Sequence, residues 1–309
     1  MSDESMADGL LVDYFKDWSE TVKRPLVTRI TFNKYVCAEK NLREIAPDLK
    51  ISEVDKRAYQ TILNKYGETH EKTTCMDFHH LLRACLLDAL DDGVIDRDPS
   101  RKAVVRGKRS NKRKNMLSES ELSKVIDVLG ADASKVSEKW LLILVSRTGL
   151  RFAEALAVTP SDFDFDEMTL RVNKTWNYKA DGGFMPTKNE SSNRVIDIDW
   201  RTASEFEKLV SGIEPSEPVF ISAGCSKFNS TYNDILARAC RQADVPNVRV
   251  HGLRHTHASI LLANGVSIAT ISQRLGHSDI NTTQSVYLHI TDELAAKDKK
   301  EIMAAMCSI

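Results

Sequence analysis

The sequence predicts a mainly α protein with a small antiparallel β-sheet, organised as two folded units around a basic segment. Three observations carry that expectation. Apolar residues recur at helical spacing through the first hundred residues, alternating β-prone runs appear only in the second half of the chain, and residues 101–114 hold eight Lys+Arg with no Asp or Glu. At 309 residues the chain has room for about two domains of roughly 150 residues, each large enough to bury its own core.

In the first unit, residues 1–100, Leu11, Tyr14, Phe15 and Trp18 mark one helix. Residues 29–45 and 53–66 fit two more, and a fourth is expected over 73–93, where Leu81, Leu82, Cys85, Leu86 and Leu90 share a face. A bundle of four helices results, with no chemistry of its own visible in the sequence. Residues 101–115 follow Asp98-Pro99-Ser100 and read as an interdomain linker, RKAVVRGKRSNKRK at its heart. Such a segment is either a solvated connector or a run of cations laid along phosphate oxygens, where each neutralised phosphate adds salt-sensitive affinity.

The second unit, residues 116–309, opens on Ser118-Glu119-Ser120-Glu121, a capping box ahead of Leu122, Val125, Ile126 and Leu129. A helix over 136–146 should end near Gly149. Alternation over 168–176, a turn at Asp181-Gly182-Gly183 and alternation over 194–199 predict the sheet. From Ala203 onward the pattern is helical again, with a short extended piece expected at 218–222.

Composition narrows the function classes. Hydrophobic residues make up 42% and charged residues 28%, which disfavours disordered, collagenous and membrane-spanning chains. The longest apolar run, Trp140 to Val145, is far short of the ~20 residues a spanning helix needs. An acidic start, MSDESMADG, lacks the basic and apolar regions of a secretory leader, so no membrane association and a cytoplasmic location are expected. The cysteines Cys37, Cys75, Cys85, Cys225, Cys240 and Cys307 form no CxxC pair and are expected to be reduced.

Four places could carry chemistry. Arg151 and Glu154 lie three apart, a spacing that also suits a plain intrahelical ion pair. His251, Arg254, His255 and His257 cluster in seven residues, but no carboxylate or cysteine stands at ligand spacing, so a zinc site is disfavoured. His277 follows Leu275-Gly276 at a helix end, and Tyr287 lies ten residues beyond it. Two guanidiniums, two imidazoles, an ammonium and a phenol are together what metal-free attack on a phosphodiester requires. Arginine forks match the non-bridging oxygens, and a tyrosine of pKa ~10 needs a base and nearby positive charge to become a nucleophile. No carboxylate cluster suggests a two-metal mechanism, and no cofactor is expected.

These motifs, TGLRFAEAL, HGLRHTHAS and LGHSDINTTQSVYLH in that order behind a basic linker, resemble the tyrosine recombinases of the phage integrase family. The resemblance implies catalytic roles for Arg151, Lys188, His251, Arg254 and His277, with Glu154 an accompanying acid and Tyr287 the nucleophile. Lys188 in Pro186-Thr187-Lys188-Asn189 is the match to the family's hairpin lysine, with Lys174 and Lys179 as alternatives. It further implies a two-domain clamp on double-stranded DNA, a four-helix core-binding domain and a mixed α/β catalytic domain. Arg106, Lys108, Arg109, Lys112, Arg113 and Lys114 would lie along the DNA backbone.

By the same resemblance the activity is site-specific recombination through a 3′-phosphotyrosyl intermediate and a Holliday junction, by a homotetramer on two DNA sites. A directionality factor or a host DNA-bending protein would be accessory partners. The core-binding helices begin near Leu10, so a separate arm-binding domain of the kind found in many integrases is expected to be either absent or removed from this sequence. A Xer-like resolvase, a DNA-relaxing enzyme of the type IB topoisomerase kind and a non-catalytic DNA-binding regulator are the competing readings.

Overall fold

The computed structural model describes residues 8–109, 116–132, 134–187, 189–279 and 284. The chain divides into two compact units, residues 1–112 and residues 113–309.

The first unit is helical. Helix α1, Leu11–Trp18, continues as a π-helix over Ser19–Lys23. Helix α2, Arg29–Ile45, starts where the Thr28 hydroxyl accepts the Thr31 N–H. Helix α3, Lys56–Thr69, begins later than its periodicity suggests, because Ile51–Glu53 closes a separate 3-10 turn and the Asp55 carboxylate caps the Ala58 N–H at 2.7 Å. Helix α4 is Lys72–Asp91. The shared core includes Leu11, Phe15, Trp18, Leu42, Tyr59, Leu63, Leu82 and Leu86.

The basic stretch is partly fastened to this unit. The Gln60 side chain clasps the Val104 backbone from both sides, donating to its carbonyl and accepting its N–H, each at 2.9 Å. The Lys108 N–H donates to the His70 carbonyl at 2.8 Å. Residues 103–108 are therefore a strap on α3 and the α3–α4 junction rather than a free connector. Their polar backbone groups find partners that a solvated linker would leave to water. Arg106, Lys108 and Arg109 are exposed on it, whereas Lys112, Arg113 and Lys114 lie outside the described residues.

In the second unit the capping box forms as expected: Ser118 and Glu121 exchange side-chain to backbone hydrogen bonds at the start of α5, Glu119–Leu129. Helix α6, Glu138–Thr148, is buried on every side from Trp140 to Val145, which explains its unbroken apolar run. After it come α7, Phe152–Leu156, and, among the described residues, five strands: β1, Phe163–Asp164; β2, Thr169–Val172; β3, Lys174–Trp176; β4, Phe184–Pro186; and β5, Arg194–Asp197.

Two expectations need correcting. Among the described residues the strands make two small antiparallel sheets, β1-β2-β5 and β3-β4, instead of one. Strands β2 and β3 read as a single run in the sequence, but the facing chain is interrupted at residues 187–193, so Val172 pairs with Arg194 and Lys174 with Pro186. The extended piece expected at 218–222 is confined to Pro218: Val219–Ser222 is a short helix, α9. Its Val219 and Phe220 are both fully buried, which the alternation of a half-buried strand would not allow.

The remaining helices are α8, Trp200–Val210; α10, Asn229–Gln242; α11, Val250–Ala263; and α12, Ile268–Leu275. Helix α11 packs against α6, and α12 packs against α11 and β5. Among the described residues, no helix is long and apolar enough to cross a membrane.

Candidate active site

Helix α6 stops at Gly149, whose φ of 70° turns the chain so that Arg151 becomes the residue capping α7. Glu154 reaches back from the first turn of α7. Its carboxylate accepts the Arg151 N–H at 2.9 Å and the Arg151 Nη1 at 2.7 Å. The other arm of the guanidinium, Nη2, donates to the Gly276 carbonyl at 2.8 Å. About a third of the Arg151 side chain stays exposed.

Arg254 approaches the same place from α11. It is 2% exposed, and its Nη1 and Nη2 donate to the carbonyls of Gly149 at 2.6 Å and Leu275 at 2.7 Å. Both arginines therefore grip the C-terminal turn of α12, whose last carbonyls lack helical partners and carry the negative end of the helix dipole. His277 follows directly, its N–H held by the Ser272 carbonyl at 3.1 Å. Glycine is required at this turn: Gly276 has φ 67°, and a Cβ there would stand 2.9 Å from Arg194 Nη1 and 3.1 Å from Ser192 Cα.

The histidines of α11 diverge. The His251 and His255 rings meet edge to face, 4.6 Å between centroids. His257 points the other way, with Nδ1 3.1 Å from the Ser146 carbonyl and Nε2 3.0 Å from Arg274 Nε. Because an arginine N–H can only donate, His257 Nε2 accepts and Nδ1 carries the proton. Among the described residues no three His, Cys, Asp or Glu side chains are grouped to hold a metal ion.

Electrostatics follow from that crowding. Although the His251 surface reaches solvent, the protein packed around it pushes its pKa down, aided by Arg254 and Arg151. Burial first, then Arg254 and Arg151, push His277 down to about 4. Burial, His251 and Arg254 do the same for His255, also to about 4. His277 and His255 are thus neutral near pH 7. Burial would raise Glu154, yet the Arg194 and Arg151 guanidiniums outweigh it and hold the carboxylate below its ordinary range.

The structure thus brings Arg151, Arg254 and His277 to one turn, with His251 close enough to feel both guanidiniums. Tyr287 and Lys188 lie outside the described residues. Lys174 has its ammonium against the Asp162 carboxylate and 3.3 Å from the Thr159 hydroxyl, and Lys179 stands 5.7 Å from the Tyr178 ring. Sequence reasoning counted His255 only in a disfavoured zinc cluster and gave Arg194 no role. His255 was findable, since it stands four residues after His251 on a helix and must share its face. Arg194 had no such signal, being one more polar residue at the start of a strand.

The phage integrase family is matched over residues 101–293, more than half of the chain. The chain belongs to the phage integrase family. This tyrosine recombinase is therefore a DNA strand-transferring enzyme of site-specific recombination. It is similar to a tyrosine recombinase XerC-like protein of Caldanaerobacter subterraneus subsp. tengcongensis, 27% identical over 322 residues that cover 92% of this chain and 80% of that one. It is also similar to the ICEBs1 integrase of Bacillus subtilis, 32% identical over 161 residues, 46% of this chain and 42% of that integrase. In fold it is similar to the Tn1549 transposon integrase solved in complex with transposon right end DNA. That match has a TM-score of 0.77 at 18% identity and covers 96% of this chain and all of that one.

Proposed function

We propose that the recombinase cuts and rejoins double-stranded DNA at specific sites through a covalent link between Tyr287 and a 3′-phosphate. The observation that carries the reading is the meeting of Arg151 and Arg254 on the Leu275–Gly276 turn, one residue before His277. Two fixed cations beside a neutral imidazole suit a phosphate that gains charge on its non-bridging oxygens as it is attacked.

In this reading Tyr287 attacks the scissile phosphorus, and its phenol proton passes to the neutral His251. Arg151 and Arg254 neutralise the phosphoryl oxygens, His277 donates a hydrogen bond to one of them, and Lys188 protonates the departing 5′-oxygen. One P–O bond forms as another breaks, so the phosphodiester is conserved in the phosphotyrosyl link. The 5′-hydroxyl of a partner strand reverses the step, and two rounds through a Holliday junction exchange two duplexes within a homotetramer.

The first unit serves as the core-binding domain and contacts the duplex alongside the catalytic unit. Arg106, Lys108, Arg109, Lys112, Arg113 and Lys114 neutralise phosphates along the path between them. Replacing Lys108, Arg109, Lys112, Arg113 and Lys114 by Gln makes the log–log salt dependence of DNA binding shallower, by up to roughly 0.9 for each phosphate left without its cation. The Tn1549 structures in complex with DNA support DNA as the partner, and the XerC-like relative keeps a Xer-like resolvase as a second reading of the same chemistry.

Trapping on nicked suicide duplexes drawn from the DNA flanking the gene tests this reading. In EDTA, the wild type forms an adduct that peptide mass maps to Tyr287, and Tyr287→Phe forms none. An adduct at another residue, or none with wild type, refutes it.

A further inference from the structure

Arg194 makes four hydrogen bonds beside the site, and the mechanism above leaves it without a role. It stands at the start of β5, its side chain 5% exposed. Its Nε donates to the Arg274 carbonyl at 2.6 Å and its Nη1 to the Ser192 carbonyl at 2.8 Å. Nη1 and Nη2 also meet the two oxygens of Glu154 at 3.3 and 2.9 Å. With Nε, Nη1 and Nη2 all committed to protein acceptors, it acts through its neighbours, whereas Arg151, a third exposed, has surface left for DNA.

What the fork holds is telling. Glu154, 1% exposed, is the residue that fixes Arg151 from one side, and the Gly276 carbonyl fixes it from the other. Arg194 grips the first directly and packs against the second, where there is no space even for a Cβ. Through the Arg274 carbonyl it also holds the last turn of α12, from which His277 emerges. Ser192, its third acceptor, lies four residues after Lys188 in the sequence.

A plain buried ion pair needs only Glu154. One guanidinium shared among a carboxylate and two backbone carbonyls from separate segments is a fixture that a lysine, with a single point of charge, cannot reproduce. Resting on the proposed reading that Arg151 and His277 face the phosphate, we infer that Arg194 is a positioning residue. It locks Glu154, the Ser192 turn and the end of α12 into one geometry and thereby aims Arg151 and His277 at the scissile phosphate.

The test compares wild type, Arg194→Gln, Arg194→Lys, Arg151→Ala and the Arg194→Gln/Arg151→Ala double variant by rate of adduct formation on a nicked suicide duplex, with DNA affinity and thermal midpoint measured on each. Arg194→Gln slows the reaction at least ~30-fold, since small misplacements of catalytic groups are that costly, while DNA affinity stays within about threefold. Added to Arg151→Ala it costs clearly less than it does alone, because the part of its effect that runs through Arg151 is already gone and the part through His277 remains. The acid limb of the pH–rate profile moves to higher pH in Arg194→Gln, because Glu154 loses the partner that most favours its charged form. Arg194→Lys restores part of the rate and carries the test if the Gln variant does not fold.

Multiplicative losses in the double variant, or an unmoved acid limb, overturn the inference while leaving the phosphotyrosyl reading intact. A wild type that forms no Tyr287 adduct overturns both.

Discussion

The two units bury different things. Among the described residues of the helical unit, the buried polar side chains are Ser19 and Ser100, and the rest of the core is aliphatic and aromatic apart from Cys75 and Cys85. The catalytic unit buries Thr148, Glu154, Asp162, Arg254, Thr256 and His257 within a core of similar apolar character. Charges taken out of water are tolerated only when hydrogen-bonded and paired, and they seldom add net stability over apolar residues of equal volume. The helical unit is built to be stable. The catalytic unit gives up some of that stability to hold guanidiniums in fixed directions.

The largest test of that contrast is Arg254→Ala. It removes a preorganised cation and leaves the Gly149 and Leu275 carbonyls without their donor, so adduct formation should slow on the order of 10³-fold, about 4 kcal/mol of transition-state stabilisation. Single-turnover cleavage measures it, and a loss below tenfold would break the contrast. Next comes Leu86→Ala in the helical core, expected to cost about 3 kcal/mol in denaturant unfolding. The cleavage rate of the folded protein on saturating DNA should not change; a large rate loss would mean that the units do not divide labour in this way.

A smaller effect sharpens the comparison through pH. Burial first, with Arg274 and Arg254, pushes His257 down to about 3, against an ordinary value of 6.5. The unfolded chain therefore takes up the proton first. The stabilisation is complete above pH 6.5 and is lost as pH falls towards 3, with about 2 kcal/mol gone at pH 5. Thermal midpoints at pH 7 and 5 should show a fall in wild type and a shallower one in His257→Gln; equal slopes would contradict the assignment. The smallest effect is at the strap. Gln60→Ala should cost about 1 kcal/mol and speed hydrogen exchange at the Val104 amide, leaving untouched exchange at the Leu117 amide of the catalytic unit, which donates to the Thr256 hydroxyl at 2.9 Å.

Much of this was legible in the sequence where the signal is local. The capping box at Ser118, the helix over 29–45 and the turn at Gly182-Gly183 each follow from a few neighbouring residues. The convergence of Arg151 and Arg254 is not local, and only the ordered set of motifs anticipated it. What stayed hidden depends on residues distant in sequence. Arg194 matters because Glu154, 40 residues away, and Arg274, 80 residues away, meet at its fork. The split of the sheet depends on where the facing chain breaks, and α9 depends on a pocket that buries two consecutive apolar residues.

The central claim is that Arg151 and Arg254 are held to neutralise a phosphate as it is attacked. The most direct measurement replaces the scissile phosphate by an uncharged methylphosphonate in a suicide duplex and compares wild type with Arg151→Ala and Arg254→Ala. The account predicts that the large losses these variants show on phosphate shrink to within about tenfold on the neutral substrate, since there is little charge left to stabilise. Losses of equal size on both substrates would contradict it.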